Sequence, residues 1–331
     1  MDVKGKIGVL LINLGTPEAT SYWPMRRYLK EFLSDRRVIE TNRVLWWFIL
    51  NGVVLSFRPQ KSGRNYDKIW NRGLNESPLK TITRSQAEKL AQRFTLSNNI
   101  LVDWGMRYGS PAAVDRVKAL VQQGCDRVLL FPLYPQYSAA TTATALDKVF
   151  DTFKELRSQP ALRSVPPYFD HLAYIDALAR SVQQHLESMA WKPDLILASY
   201  HGLPQTYVDA GDPYYAHCMT TTKLFAERLK LPPQKLEMVF QSRFGKAEWL
   251  KPYAQEIVEG LPARGVKNLV VIMPGFAADC VETLEEVAIG LRETFLEKGG
   301  MNFSAVPCLN DGPESIGMLE TIVRRELAGW L

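Results

Sequence analysis

Short apolar runs alternate with longer amphipathic stretches along most of the chain. Runs rich in Val, Ile, Leu and Phe at 7–13, 100–104, 127–133, 195–200, 238–241, 269–273 and 303–307 predict strands. They are apolar throughout rather than at alternate positions, so both faces of each strand are buried. Between most of them apolar residues recur at helical spacing, as in "SPLKTITRSQAEKLAQRF" (77–94), "PYYAHCMTTTKLFAERLK" (213–230) and "VETLEEVAIGLRETFLEK" (281–298). Strand–helix alternation of this kind predicts an α/β fold, with parallel sheets covered by helices on both faces. The stretch "RSQPALRSVPPYFDH" (157–171) carries three prolines and predicts a linker. Two domains follow, 1–160 and 161–331. In such sheets a ligand is expected outside the carboxyl ends of the strands, in a cleft where two such domains meet.

Two apolar segments depart from this rhythm. The first, at 7–14, follows two lysines in the manner of an export leader, but it is short, contains Asn13 and runs into "GTPE". It reads as the first strand. The second, "RVLWWFILNGVVLSFRP" (43–59), is interrupted by Asn51 and Gly52 and is too short to span a bilayer. It is either a core helix or an exposed apolar lip that meets a membrane or a greasy ligand.

Composition narrows the function classes. A chain of 331 residues, 46% hydrophobic and 23% charged, has the make-up of a soluble globular protein. The net charge of +5 is mild and no basic run is present, which argues against nucleic acid while allowing anionic ligands. Cys125, Cys218, Cys280 and Cys308 are widely separated and form no CxxC, so neither a zinc ribbon nor a disulfide framework is indicated, and a reducing cytoplasm is the simplest setting. GxGxxG, GxxxxGK[ST] and G-x-S-x-G are all missing, which argues against dinucleotide, P-loop and serine-hydrolase chemistry.

What remains is one imidazole and a row of acids. His201 directly follows the strand at 195–200, at a carboxyl edge, and Gly202 and Pro204 end regular structure behind it. After the strand at 269–273 comes "PGFAADCVETLEEVAIG" (274–290), where Asp279, Glu282 and Glu286 stand three and four residues apart and share one face of a helix beginning near Cys280. Asp279 with Glu282 also fits a capping box, but capping leaves Glu286 unexplained. Imidazole with carboxylates suits transient binding of a divalent first-row metal, or proton abstraction near neutral pH. A non-catalytic binding module remains open.

Motifs spread over the whole chain then carry a resemblance: "LLINLGTPE" (10–18), "FRPQKS" (57–62), "ESPL" (76–79), "GMRYGSP" (105–111), "LYPQYS" (133–138), "SYHGLP" (199–204), "GDPY" (211–214), "QSRFG" (241–245) and "PGFAADCVETLEE" (274–286). In this order they resemble ferrochelatases, which insert ferrous iron into a porphyrin. The resemblance implies two Rossmann-like, chelatase-type domains with a porphyrin cleft between them, and the long apolar segment at 43–59 favours protoporphyrin IX as substrate, with coproporphyrin III the alternative. It implies that His201 and Glu282 are catalytic and hold the metal, and that Asp279 and Glu286 extend an acidic path whose further acid is replaced here by Gly290. It also implies Arg58, Tyr66, Arg107, Tyr108, Tyr137, Ser138 and Trp249 as porphyrin-binding residues, with the segment about 43–59 as a lip over the porphyrin mouth. No iron–sulfur cluster and no permanently bound cofactor are expected, since iron is a substrate. A cytoplasmic monomer or weak homodimer is expected, with peripheral contact at the inner membrane face.

Overall fold

All seven apolar runs form strands, and an eighth appears where a linker was expected. The computed structural model describes residues 5–96, 99–245 and 247–331. Among these residues β1 (Lys6–Thr16), β2 (Ile100–Gly109), β3 (Cys125–Pro132) and β4 (Ala161–Ser164) make one sheet, in the order β2-β1-β3-β4. A second sheet, in the order β6-β5-β7-β8, is made by β5 (Leu195–His201), β6 (Leu236–Gln241), β7 (Asn268–Ile272) and β8 (Asn302–Ala305). Every pairing within both sheets is parallel. The two sheets repeat one winding, in which the first strand is central, the second lies on one side and the third on the other. The chain therefore changes direction beside β1 and again beside β5, and such switch points open a crevice at the strands' carboxyl ends.

Central strands are the ones that must be apolar on both faces. Ile7, Val9, Leu10, Leu11 and Ile12 of β1 are fully buried, as are Leu197, Ala198 and Tyr200 of β5. In the second unit Leu195, Leu197, Val239, Leu269 and Val271 pack against Val287, Leu291 and Phe295. That packing holds the helical segment after β7 against the sheet.

The chain divides into two units, and the division differs from a single break at 160/161. The first unit runs through Tyr134, resumes at Ser138–Pro166 and takes back Leu319–Leu331, while the second comprises Pro135–Tyr137 and Pro167–Met318. Residues 161–166 thus belong to the first unit, because Arg127 to Leu130 of β3 pair with Ala161 to Ser164 as an edge strand. The last residues belong there as well. Arg127 donates to the carbonyls of Trp330 (2.7 Å) and Gly5 (2.6 Å), and Arg163 donates to that of Glu326 (2.6 Å) while lying 4.3 Å from the Trp330 ring centre.

The apolar segment is exposed at the surface rather than buried as a core helix. Asn42 caps a helix (Arg43–Ile49), accepting from the N–H groups of Val44 and Leu45. A π-helical turn (Leu50–Val54) and a second helix (Leu55–Ile69) follow. Leu50 and Leu55 are buried, whereas Val44, Leu45, Trp47, Phe48, Val53 and Phe57 are exposed, Phe57 by 75%. Among the described residues no helix is long and apolar enough to cross a membrane.

Candidate active site

His201 is the last residue of β5 and pairs with Gln241, the last residue of β6. The chain turns tightly after it. Gly202 donates to the Gln241 carbonyl at 2.8 Å, and a Cβ at Gly202 would lie 2.9 Å from that oxygen and 3.2 Å from Cε3 of Trp249. Only glycine fits. The His201 Nδ1 lies 2.6 Å from the Gly202 carbonyl, which only accepts, so this contact assigns the proton to Nδ1. The lone pair on Nε2 is then the one available to a proton or a metal. The Trp249 ring sits 6.5 Å from the imidazole, tilted by 49°.

The two glutamates stand on a π-helix (Glu282–Leu291) rather than the α-helix that the sequence pattern implies. Its i→i+5 bonding widens each turn, and such segments recur at functional sites. Glu282 and Glu286, four apart, remain on one face of it. Two residues at the end of β6 grip this helix. The Gln241 amide donates to the Glu282 main-chain carbonyl at 2.9 Å and accepts from the Ser199 hydroxyl at 2.7 Å. Ser242 donates to Glu286 twice, from its N–H at 2.7 Å and its hydroxyl at 2.5 Å. Burial pushes the Glu286 carboxyl above the usual range; the Ser242 hydrogen bonds and the charge of His201 pull it down, and Glu282 pushes it up again. The Glu286 carboxyl therefore lies within electrostatic reach of both His201 and Glu282.

Asp279 is held differently. Its carboxylate accepts from the Thr283 hydroxyl (2.8 Å), the Asn310 amide (2.6 Å) and the Cys308 N–H (3.4 Å), and the residue is buried. The expected capping box is not formed: Asp279 accepts from the Thr283 hydroxyl and from Asn310 of a distant loop, and no side chain caps the N-terminus of the π-helix. Burial pushes the neighbouring Cys280 thiol well up, and Glu282 adds to that, so Cys280 is held as a thiol. Among the described residues no group of three or more His, Cys, Asp or Glu side chains is arranged to hold a metal ion.

The remaining candidates divide by unit. In the second, the Tyr137 N–H donates to His217 Nδ1 at 3.2 Å, and His217 stacks on Phe169 at 3.7 Å. In the first, Ser138 caps a π-helical turn through the Ala140 N–H. Burial pulls the Arg58 guanidinium below its ordinary value. Two aromatic residues expected as porphyrin walls are core residues within this unit. Tyr108 is fully buried, its hydroxyl on Asp35 (2.9 Å) and its ring edge-on to Phe32 (5.1 Å). Tyr66 packs between Tyr28 and Trp70. Arg107, expected as an anchor, is bound to the Asp35 carboxylate and the Thr144 carbonyl, so its cation is already neutralised. Asp35, Gln241 and Ser242 were missed by the sequence reading. The only signal for the last two was their place in "QSRFG" at the end of a predicted strand.

Comparison with known proteins bears on the family and the fold. The family model described as Ferrochelatase matches residues 6–327. A ferrochelatase of Chelativorans sp. (strain BNC1) is 55% identical over 326 residues, covering 98% of this chain and 92% of that protein. The ferrochelatase of Brucella ovis is 56% identical over 326 residues, with 98% and 93% covered. Among solved structures, SirB from Bacillus subtilis with Fe3+ superposes with a TM-score of 0.57 at 11% identity, over 98% of this chain and 96% of that one. The sirohydrochlorin chelatase SirB from Bacillus subtilis subspecies spizizenii in complex with cobalt gives 0.55 at 9% identity, with the same coverage. These two likenesses establish the fold alone, whereas the family match and the close relatives establish more. The chain belongs to the ferrochelatase family and is a chelatase that inserts metal into porphyrin for haem synthesis.

Proposed function

We propose that the protein inserts ferrous iron into protoporphyrin IX to form protohaem, with His201 as the base. A free-base porphyrin carries two pyrrole protons in the hole that the metal must enter. The observation that carries the proposal is the Nε2 lone pair of His201, left available by the Nδ1 contact with the Gly202 carbonyl, with Glu286 within electrostatic reach of the imidazole. Nε2 accepts a pyrrole proton near neutral pH. Glu282 ligates the incoming iron transiently, and Glu286, with Asp279 behind it, carries protons or metal away from or toward the ring. Imidazole and carboxylate release ferrous iron more readily than a thiolate set would, and Cys280 stays protonated.

Trp249 offers an apolar wall beside His201, and Tyr137 and Ser138 contribute polar contacts. Arg58 is proposed as the anchor for a porphyrin carboxylate, because a guanidinium matches a carboxylate with two parallel hydrogen bonds. Arg107, Tyr108 and Tyr66, rather than touching porphyrin, shape the first unit from behind in this reading. The exposed apolar segment favours the less polar protoporphyrin over coproporphyrin III and gives the protein a peripheral hold on a membrane. The test is metal insertion measured side by side on both porphyrins under reducing conditions, followed by the simplification of the visible bands on metalation. Faster insertion into coproporphyrin would overturn the substrate proposal.

A further inference from the structure

Ser242 does two things that closing a strand does not require. It takes up φ +66, a left-handed conformation disfavoured for a residue with a Cβ. It also commits both of its donors to one carboxylate, the N–H to Oε1 and the hydroxyl to Oε2 of Glu286, so that neither oxygen is free to rotate. Anchoring the π-helix does not explain this, since the neighbouring Gln241 amide already holds that helix through the Glu282 carbonyl. A glycine would adopt the same φ without strain and keep the N–H bond. What serine adds is the hydroxyl.

We infer that Ser242 is a positioning residue for metal insertion, its hydroxyl, together with its N–H, fixing the Glu286 carboxylate in one orientation on the π-helix. The inference rests on the reading of Glu286 as part of the acidic path. It assigns a task to the "QS" of the "QSRFG" motif: glutamine sets the helix, and serine sets the side chain on it.

Ser242→Gly removes the hydroxyl alone and relieves the backbone. Ser242→Asn tolerates the left-handed conformation and restores a side-chain donor. Iron insertion by the full chain is measured as kcat and KM for each variant, alone and combined with Glu286→Gln. The expected result is a kcat for Ser242→Gly lower by about ten-fold, the scale of a hydrogen bond to a charged group. The porphyrin KM should stay within about two-fold, kcat should recover in part in Ser242→Asn, and Ser242→Gly should have no further effect once Glu286 is glutamine. Full kcat in Ser242→Gly would overturn the inference. So would an equal loss with and without Glu286, or a fall in melting temperature that parallels the lost activity in both serine variants. Full turnover in Glu286→Gln alone would instead remove the acidic path itself, and the inference with it.

Discussion

Arg107 and Asp35 are bound to each other inside the first unit, with the guanidinium and the carboxylate both almost wholly buried. The same carboxylate oxygen accepts from the Tyr108 hydroxyl at 2.9 Å and the Thr144 hydroxyl at 2.5 Å, while Arg107 Nε donates to the Thr144 carbonyl at 3.0 Å. Three segments distant in sequence are joined by this one carboxylate: the turn after the helix Tyr22–Leu33, the end of β2, and the start of the helix Thr144–Lys154. Removing one partner of such a pair leaves the other buried and uncompensated. Asp35→Asn should therefore cost about 3 kcal/mol or more in chemical denaturation at neutral pH.

The same pair sets a pH signature. Burial pushes the Asp35 carboxyl up, but the Thr144 bond, the Arg37 N–H, the Tyr108 hydroxyl and the Arg107 charge together outweigh it, and the group ends below its ordinary value. A carboxyl depressed in the folded chain stabilises it above the unfolded value and loses that contribution as pH falls through the folded one. The stability difference between wild type and Asp35→Asn should be level from neutral pH down to about 4 and shrink below it. A difference that grows on acidification would contradict the assignment.

The exposed apolar segment separates surface from stability. Trp47 is 59% exposed and Phe48 63% exposed, so replacing both with serine removes little packing. The double variant should melt at the wild-type temperature and lose most of its co-sedimentation with phospholipid vesicles. Unchanged vesicle binding would leave the segment without its proposed membrane contact.

Gly290 occupies the place where the acidic row would continue. A Cβ built there would meet only the Glu285 carbonyl, at 3.5 Å, an ordinary contact, so neither clash nor backbone strain requires glycine. Gly290→Ala should raise stability by about 0.5–1 kcal/mol, the conformational advantage of alanine in a helical interior. A loss of stability on thermal unfolding would show that the π-helix needs glycine at this point.

Much of this was legible in the sequence, and the misses have physical causes. The central strands announce themselves because burial on two faces demands continuous apolar runs, as in β1 and β5. β4 does not, because it is a four-residue edge strand whose residues are all partly or fully exposed, set close to Pro160 and Pro166, which only an edge position tolerates. His201 was readable as the polar residue closing an apolar strand, and the Glu282–Glu286 stripe as a helical spacing. The π-helical winding was not, since i→i+4 and i→i+5 turns place those two acids on one face alike. Asp35 and Ser242 were unreadable for a further reason. Their roles depend on partners 72 and 44 residues away, and no local pattern records such pairings.

The central claim is that Nε2 of His201 accepts the pyrrole proton that stands in the way of the metal. It is tested most directly by His201→Ala, with porphyrin binding and metal insertion measured on the same preparation. The account predicts that porphyrin still binds, since the proposed wall Trp249 and anchor Arg58 are untouched, and that insertion falls by at least about a hundred-fold, the lower range for loss of a general base. Insertion at an undiminished rate in that variant would contradict it.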